Sequence, residues 1–331
     1  MRKLLLMAAV SLVAVTAASG SMAAESAGPA FVPFDRFVGG LTAARPEAYP
    51  GRAAAATGTF GEMRQYLLDR YQGVTSTHGY VLGGQTFDCI PVDQQPGLRG
   101  QGPRAAAAPP PAPPPGPANP EDVPSGKAST DDGGPSCEEG TVPVRRLTLD
   151  ELTRFPILRQ FFQKGPGQAG RPRAANEADQ PPVVAGHRYA HAFQVVKNYG
   201  GYSLLDVWRP FVNTNLGQIF SLSQQWYAGG SGGGLQTAEV GWQVYPHKYG
   251  SENPVLFIYW TADDYHNTGC YNLDCKAFVQ TNRSVRIGAP VGRYSVAGGK
   301  QAELGVGYYY HGGNWWLAVG NSWVGYYPGR L

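Results

Sequence analysis

Apolar positions follow two different rhythms along this chain. In its first half, Met63, Tyr66, Leu67 and Tyr71 recur at helical spacing, and Thr59 with Glu62 has the form of a capping box, so a short amphipathic helix is expected to start there. Residues 80–82, Gly83-Gly84 and residues 86–90 read as a small hairpin with Cys89 on its second arm. Residues 140–146 read as a strand, after which Thr148 and Glu151 form a second capping box. The helix it opens carries Leu152, Phe155, Leu158 and Phe161, and Pro156 should kink or split it.

Beyond His187 the helical rhythm stops. Short runs of Val, Tyr, Phe and Trp alternate with Gly, Asn, Ser and Pro at intervals typical of a sandwich. Strands are expected at 219–226, 239–245, 255–261, 303–310 and 315–319, the last two joined as a hairpin across Gly312-Gly313-Asn314. Trp315 and Trp316 should point to opposite faces of their strand. Tyr189, Phe193 and Val195 mark an extended segment, so His187 and His191 are not a helical zinc pair. Asp263-Asp264 with His266 reads as a turn rather than a metal site.

Composition separates these parts. Roughly residues 104–134 are Pro- and Ala-rich, including Pro109-Pro110-Pro111 and Pro113-Pro114-Pro115, and cannot bury enough surface to fold. Residues 165–182 form a second Gly/Pro/Ala-rich tract where a protease would cut most easily, and Lys164, Arg171 and Arg173 are expected to be exposed basic residues. At the start, Arg2 and Lys3 precede an apolar run over 4–15 and small residues at 21–24, which reads as a secretory signal peptide over 1–24. No later stretch approaches the roughly 20 apolar residues of a membrane span. The expected destination is therefore outside the cytoplasm: secreted, or periplasmic in a host with an outer membrane.

A net charge of +3 without a dense basic block gives no support to nucleic acid or an anionic membrane as a partner. The 4 cysteines, even in number in an exported chain, are expected to pair as disulfides, with the connectivity open. No cofactor or metal is expected. The fold class is all-β: an antiparallel β-sandwich over 183–331, preceded by a small α+β segment over 25–164 and by disordered linkers.

Candidate chemistry lies in residues 239–245. Alternation puts Val240, Trp242 and Val244 on a core face and Glu239, Gly241, Gln243 and Tyr245 on the other. From pattern alone Glu239 is an ordinary solvent-facing residue. If that face lines a groove, it becomes a carboxylate on a stiff strand beside an amide and a phenol, with Gly241 permitting close approach of a substrate backbone.

Ordered motifs add to this. Residues 220–226 (FSLSQQW), 239–244 (EVGWQV), Tyr249-Gly250, 259–263 (YWTAD), 269–275 (GCYNLDC), 278–280 (FVQ), 313–316 (GNWW) and 325–328 (GYYP) resemble the catalytic domain of the neprosin-type glutamic peptidases. Asp88-Cys89-Ile90, Gln95-Pro96 and residues 137–146 are similar to that family's activation segment. The resemblance implies a secreted zymogen whose propeptide covers the groove of a β-sandwich as an intramolecular inhibitor. It also implies a peptide or protein substrate cut after proline through a Glu-activated water, with Glu239 in the position of the first catalytic glutamate. It implies a Cys270–Cys275 disulfide, leaving Cys89 with Cys137.

In the family a second glutamate follows the Gly-Tyr-Trp-Pro motif in a Trp-Gly-Gly-Glu-like strand. Here Leu331 comes just after residues 325–328, so a domain incomplete at its C-terminus and without that carboxylate is expected. Glu252 and Glu303 do not match the motif. The competing expectation is a noncatalytic exported β-sandwich that binds peptide or glycan in the same groove.

Overall fold

The computed structural model describes residues 31–99, 106–112, 114, 134–164, 187–230 and 234–329. The expected signal peptide, the 165–182 tract and most of the proline-rich tract lie outside them. The N-terminal part contains helices α1 (Phe34–Ala43), α2 (Ala53–Thr57) and α3 (Phe60–Tyr71), then strands β1 (Gly79–Leu82), β2 (Gln85–Pro91) and β3 (Thr141–Arg145), then α4 (Leu149–Leu152) and α5 (Leu158–Phe162). The remaining strands are β4 (Gly200–Asp206), β5 (Ser221–Gly229), β6 (Gln236–Val244), β7 (Val255–Thr261), β8 (Cys270–Tyr271), β9 (Val279–Gln280), β10 (Glu303–His311), β11 (Asn314–Val319) and β12 (Ser322–Pro328), with one helical turn, α6 (Pro246–Tyr249), after β6.

Three antiparallel sheets result. Their orders are β1-β2-β3, β5-β6-β7-β8 and β4-β10-β11-β12-β9. The second and third face each other across one core, built from Val240, Trp242 and Val244 of β6, Leu256 and Ile258 of β7, Leu304, Val306 and Tyr308 of β10, and Leu317 and Val319 of β11. The expected core face of β6 is therefore the one that packs inward. Tight hairpins require glycine in two places: Gly83-Gly84 and Gly312-Gly313 all have positive φ, the geometry of a two-residue turn whose twist matches its strands.

Local signals are realised unequally. Thr148 accepts from the Glu151 amide while Glu151 reaches back to the Thr148 amide, a complete capping box, and Pro156 falls between α4 and α5. At α3 the expected box does not form: the Thr59 hydroxyl donates instead to Pro156 O at 2.6 Å. A tertiary acceptor from the α4–α5 connection wins over the local amide. Strands β4, β8, β9 and β12 are additional to those read from periodicity, since very short or Gly-interrupted strands carry little alternation.

The N-terminal part shares the sandwich core rather than resting on it. Ile90, Val142 and Val144 of β2 and β3 belong to the same apolar cluster as β6 and β10. A bidentate, buried Arg146–Asp88 pair, at 2.8 and 2.5 Å, ties β2 to the chain just after β3. The disulfide Cys89–Cys137 joins β2 to the residues before β3, and Cys270–Cys275 closes a small loop from β8. Among the described residues no helix is long and apolar enough to cross a membrane.

Burial of many phenols sets a pH limit on this fold. Tyr265, Tyr271, Tyr308 and Tyr327 are all pushed well above the usual tyrosine range, first by desolvation. Unfolded tyrosines ionise near pH 10, whereas these keep their protons in the fold, so stability present below pH 10 is lost as pH rises beyond it. Lys248, lowered by burial to about 8, acts in the opposite sense between about pH 8 and its unfolded value. Urea unfolding followed by circular dichroism should thus show stability falling above pH 10, by about 1 kcal/mol per pH unit for each such tyrosine. A stability unchanged between pH 10 and 11.5 would contradict this burial.

Candidate active site

Strand β6 lies between β5 and β7, with Glu239 opposite Trp226 on one side and Tyr259 on the other. Val255–Thr261 is almost entirely apolar or aromatic, as suits a strand covered on both faces. Its inward residues join the sandwich core, while Phe257 and Tyr259 form an outer aromatic layer with Leu235, Tyr265 and Tyr271. Glu239 stands on this outer side and is 0% exposed.

Each oxygen of the Glu239 carboxylate accepts two hydrogen bonds. Thr237 Oγ1 donates to Oε1 at 2.9 Å and the Tyr265 hydroxyl donates to the same atom at 2.7 Å. Trp226 Nε1 donates to Oε2 at 2.5 Å, and the Lys164 ammonium donates to Oε2 in an ion pair. Four donors fill the acceptor capacity of a carboxylate, so no lone pair is left to hold a nucleophilic water. Removing Lys164 would reopen one such position.

Lys164 comes from the chain directly after α5. Expected from sequence to be exposed, it is 5% exposed. Its burial has a physical cause: a buried carboxylate needs a counter-charge, and the apolar stem of lysine can cross the aromatic layer to reach it. Lys164 Nζ also donates to Gln224 Oε1 at 2.6 Å. Burial pushes the Lys164 ammonium below its ordinary pKa, and the charge of Glu239 acts against that shift. Arg171 and Arg173 lie outside the described residues.

Tyr265 reaches Glu239 from a strained turn. Asp264 and Tyr265 both have positive φ, 55° and 61°, which costs a residue with a side chain about 1 kcal/mol or more. The turn is held by Asp263, which accepts from the amide and hydroxyl of Thr268 and from the Asn267 amide, and by Thr261 Oγ1, which accepts from the Tyr265 amide at 2.9 Å. This is the turn role expected for Asp263-Asp264. Desolvation first, and then the charge of Glu239, keep the Tyr265 phenol protonated far above the usual range.

The other expected groove residues are placed differently. Gln243 is buried and donates to the Tyr271 hydroxyl at 3.2 Å. Tyr245 packs against Phe155, Phe220 and Tyr249 under the N-terminal part. At Gly241 the backbone that comes close belongs to β5, since a Cβ there would lie 2.0 Å from Ser223 O. Glu303 begins β10 opposite Asp206, and Glu252 is exposed after α6. Among the described residues, the partners of the Glu239 carboxylate include no second carboxylate.

A second set of contacts seats the N-terminal part beside this site. Fully buried Lys248 donates to Phe161 O at 2.9 Å and pairs with Asp274 at 3.1 Å. Asp274 lies in the Cys270–Cys275 loop, and its backbone oxygen accepts from the Tyr66 hydroxyl and from Arg70 at 3.2 Å. The Lys164 side chain is thereby delivered from α5, itself anchored one turn earlier.

Comparison with known proteins adds one finding. The family model named Neprosin matches residues 217–331, which take in β5 to β12 and Glu239, and so supports the resemblance drawn from the sequence motifs. The match begins after the N-terminal part that supplies Lys164.

Removing one partner of a buried ion pair strands the other charge, so Lys164→Ala should destabilise the full chain by about 3–5 kcal/mol. Adding Glu239→Gln should recover part of that loss, with a coupling between the two sites of about 0.5–3 kcal/mol. Urea denaturation of the two single variants and the double variant measures the coupling; strictly additive effects would mean that the pair is not formed.

Proposed function

We propose that this chain is the latent form of a secreted neprosin-like glutamic endopeptidase, in which Glu239 activates a water to cleave peptide bonds after proline and Lys164 holds it inactive. The observation that carries this reading is a fully buried carboxylate on a central strand whose last acceptor position is taken by a lysine from the preceding segment. A general base needs a free lone pair at the reacting water, and the ion pair denies it that.

Activation then follows from a cut within residues 165–182 and departure of the segment that ends in Lys164. Glu239 would take a proton from water as the water oxygen bonds to the scissile carbonyl carbon. The carbon–nitrogen bond would break as Glu239 passes that proton to the leaving nitrogen. Thr237, Trp226 and Tyr265 would hold the carboxylate in a single orientation throughout.

None of these three groups is a carboxylic acid, so the rate should fall short of a site with both acid and base by about 10²–10⁴. That same absence favours, as the second reading, a noncatalytic sandwich that binds peptide or glycan through this face. Export follows from the sequence reading of residues 1–24.

The test is to place a specific protease site within residues 165–182, cut the folded protein there, and incubate it with a proline-containing peptide at acidic pH. Slow cleavage after proline is expected, absent from the uncut chain and abolished by Glu239→Gln. Peptide binding without any Glu239-dependent turnover would instead establish the noncatalytic reading.

A further inference from the structure

The surroundings of the Lys164 ammonium form a site with its own chemical selectivity. The nitrogen lies 5.3 Å from the centre of the Trp226 ring, 5.6 Å from Phe257 and 5.8 Å from Tyr259. Rings at about 6 Å or less attract a cation through their electron-rich faces, more strongly once water is excluded. Two oxygens complete the shell, Glu239 Oε2 with its full negative charge and Gln224 Oε1 at 2.6 Å.

These features select one class of cation. Two acceptors at hydrogen-bond distance demand N–H donors, which a quaternary ammonium lacks, and its methyl groups could not approach an oxygen that closely. A planar guanidinium has its donors fixed in a fork, whereas three rotatable donors on a slim stem match the two oxygens within the aromatic walls. The walls come from neighbouring strands: Trp226 on β5, and Phe257 and Tyr259 on β7 either side of Glu239. They belong to the sheet and not to the segment that carries Lys164.

We infer that this cage is a binding site for primary alkylammonium ions, with Lys164 as its built-in occupant, and that it accepts a free linear alkylamine when the Lys164 side chain is taken away. Lys164→Ala keeps Cβ and removes a propylammonium's worth of atoms, so n-propylammonium is the matching ligand. The inference stands on the cage geometry and not on peptide-bond cleavage. A processed protein without turnover would remove the peptidase reading and leave this one as it is.

The experiment follows thermal unfolding of full-length Lys164→Ala at pH 7 in n-propylammonium chloride, with tetramethylammonium chloride and sodium chloride at equal ionic strength. A saturable rise in Tm is expected with n-propylammonium alone, about 2–4 °C once the amine is roughly tenfold above its dissociation constant. The rise should be absent in the wild-type chain, whose cage is filled, and lost in Lys164→Ala/Glu239→Gln. If Lys164→Ala does not fold unaided, refolding from urea with n-propylammonium should restore native circular dichroism, and tetramethylammonium should not. An unchanged Tm, an equal response to tetramethylammonium or in wild type, or failure to refold with the amine would each overturn the proposal.

Discussion

A carboxylate held away from water must be compensated, and in this protein the compensation of Glu239 determines how its two parts are joined. Isolated ionised carboxylates are costly in an apolar setting, and three neutral donors lessen that cost without cancelling the charge. The Lys164 ammonium cancels it, and in turn gains the acceptor that its own burial requires. Each charge is tolerable only because the other is present. The segment between α5 and residue 164 is therefore bound to β6 by electrostatics as well as by packing.

The rest of the N-terminal part is arranged so that this lysine arrives in place. Ile90, Val142 and Val144 enter the sandwich core, and Tyr66, Arg70 and Phe161 converge on Asp274 and Lys248 next to the Cys270–Cys275 loop. These contacts are apolar or at least partly buried, so water competes for them less than for surface pairs. A cut in the tract after Lys164 would leave them intact at first. In the proposed latent form, activation would thus be a dissociation step that follows the cut, with the Glu239 pair as the contact to be lost.

Much of this architecture can be read along the chain. The 3.6-residue spacing of Met63, Leu67 and Tyr71, the Thr148–Glu151 box, the interruption at Pro156 and the alternation of Val240, Trp242 and Val244 all appear in the fold where expected. They are local rules, satisfied by a few neighbouring residues, and they put Glu239 on the non-core side of β6. The same rules fail at Thr59, whose hydroxyl has a better partner 97 positions away. They are silent on β8 and β9, which are too short to show a period.

The sequence alone thus specified the strand, the face and the carboxylate. Only the folded chain decided that this face is covered, that Lys164 covers it, and that Trp226, Thr237 and Tyr265 supply the other donors. Tyr265 comes from a turn that no propensity favours, with a side chain at positive φ, and Lys164 sits beside a tract whose composition reads as exposed. Alternation reports which residues share a side of a strand. What fills the space on that side depends on contacts between residues 75 positions apart, such as Lys164 and Glu239, whose pairing leaves no local mark because it is selected by charge and burial after the chain has closed.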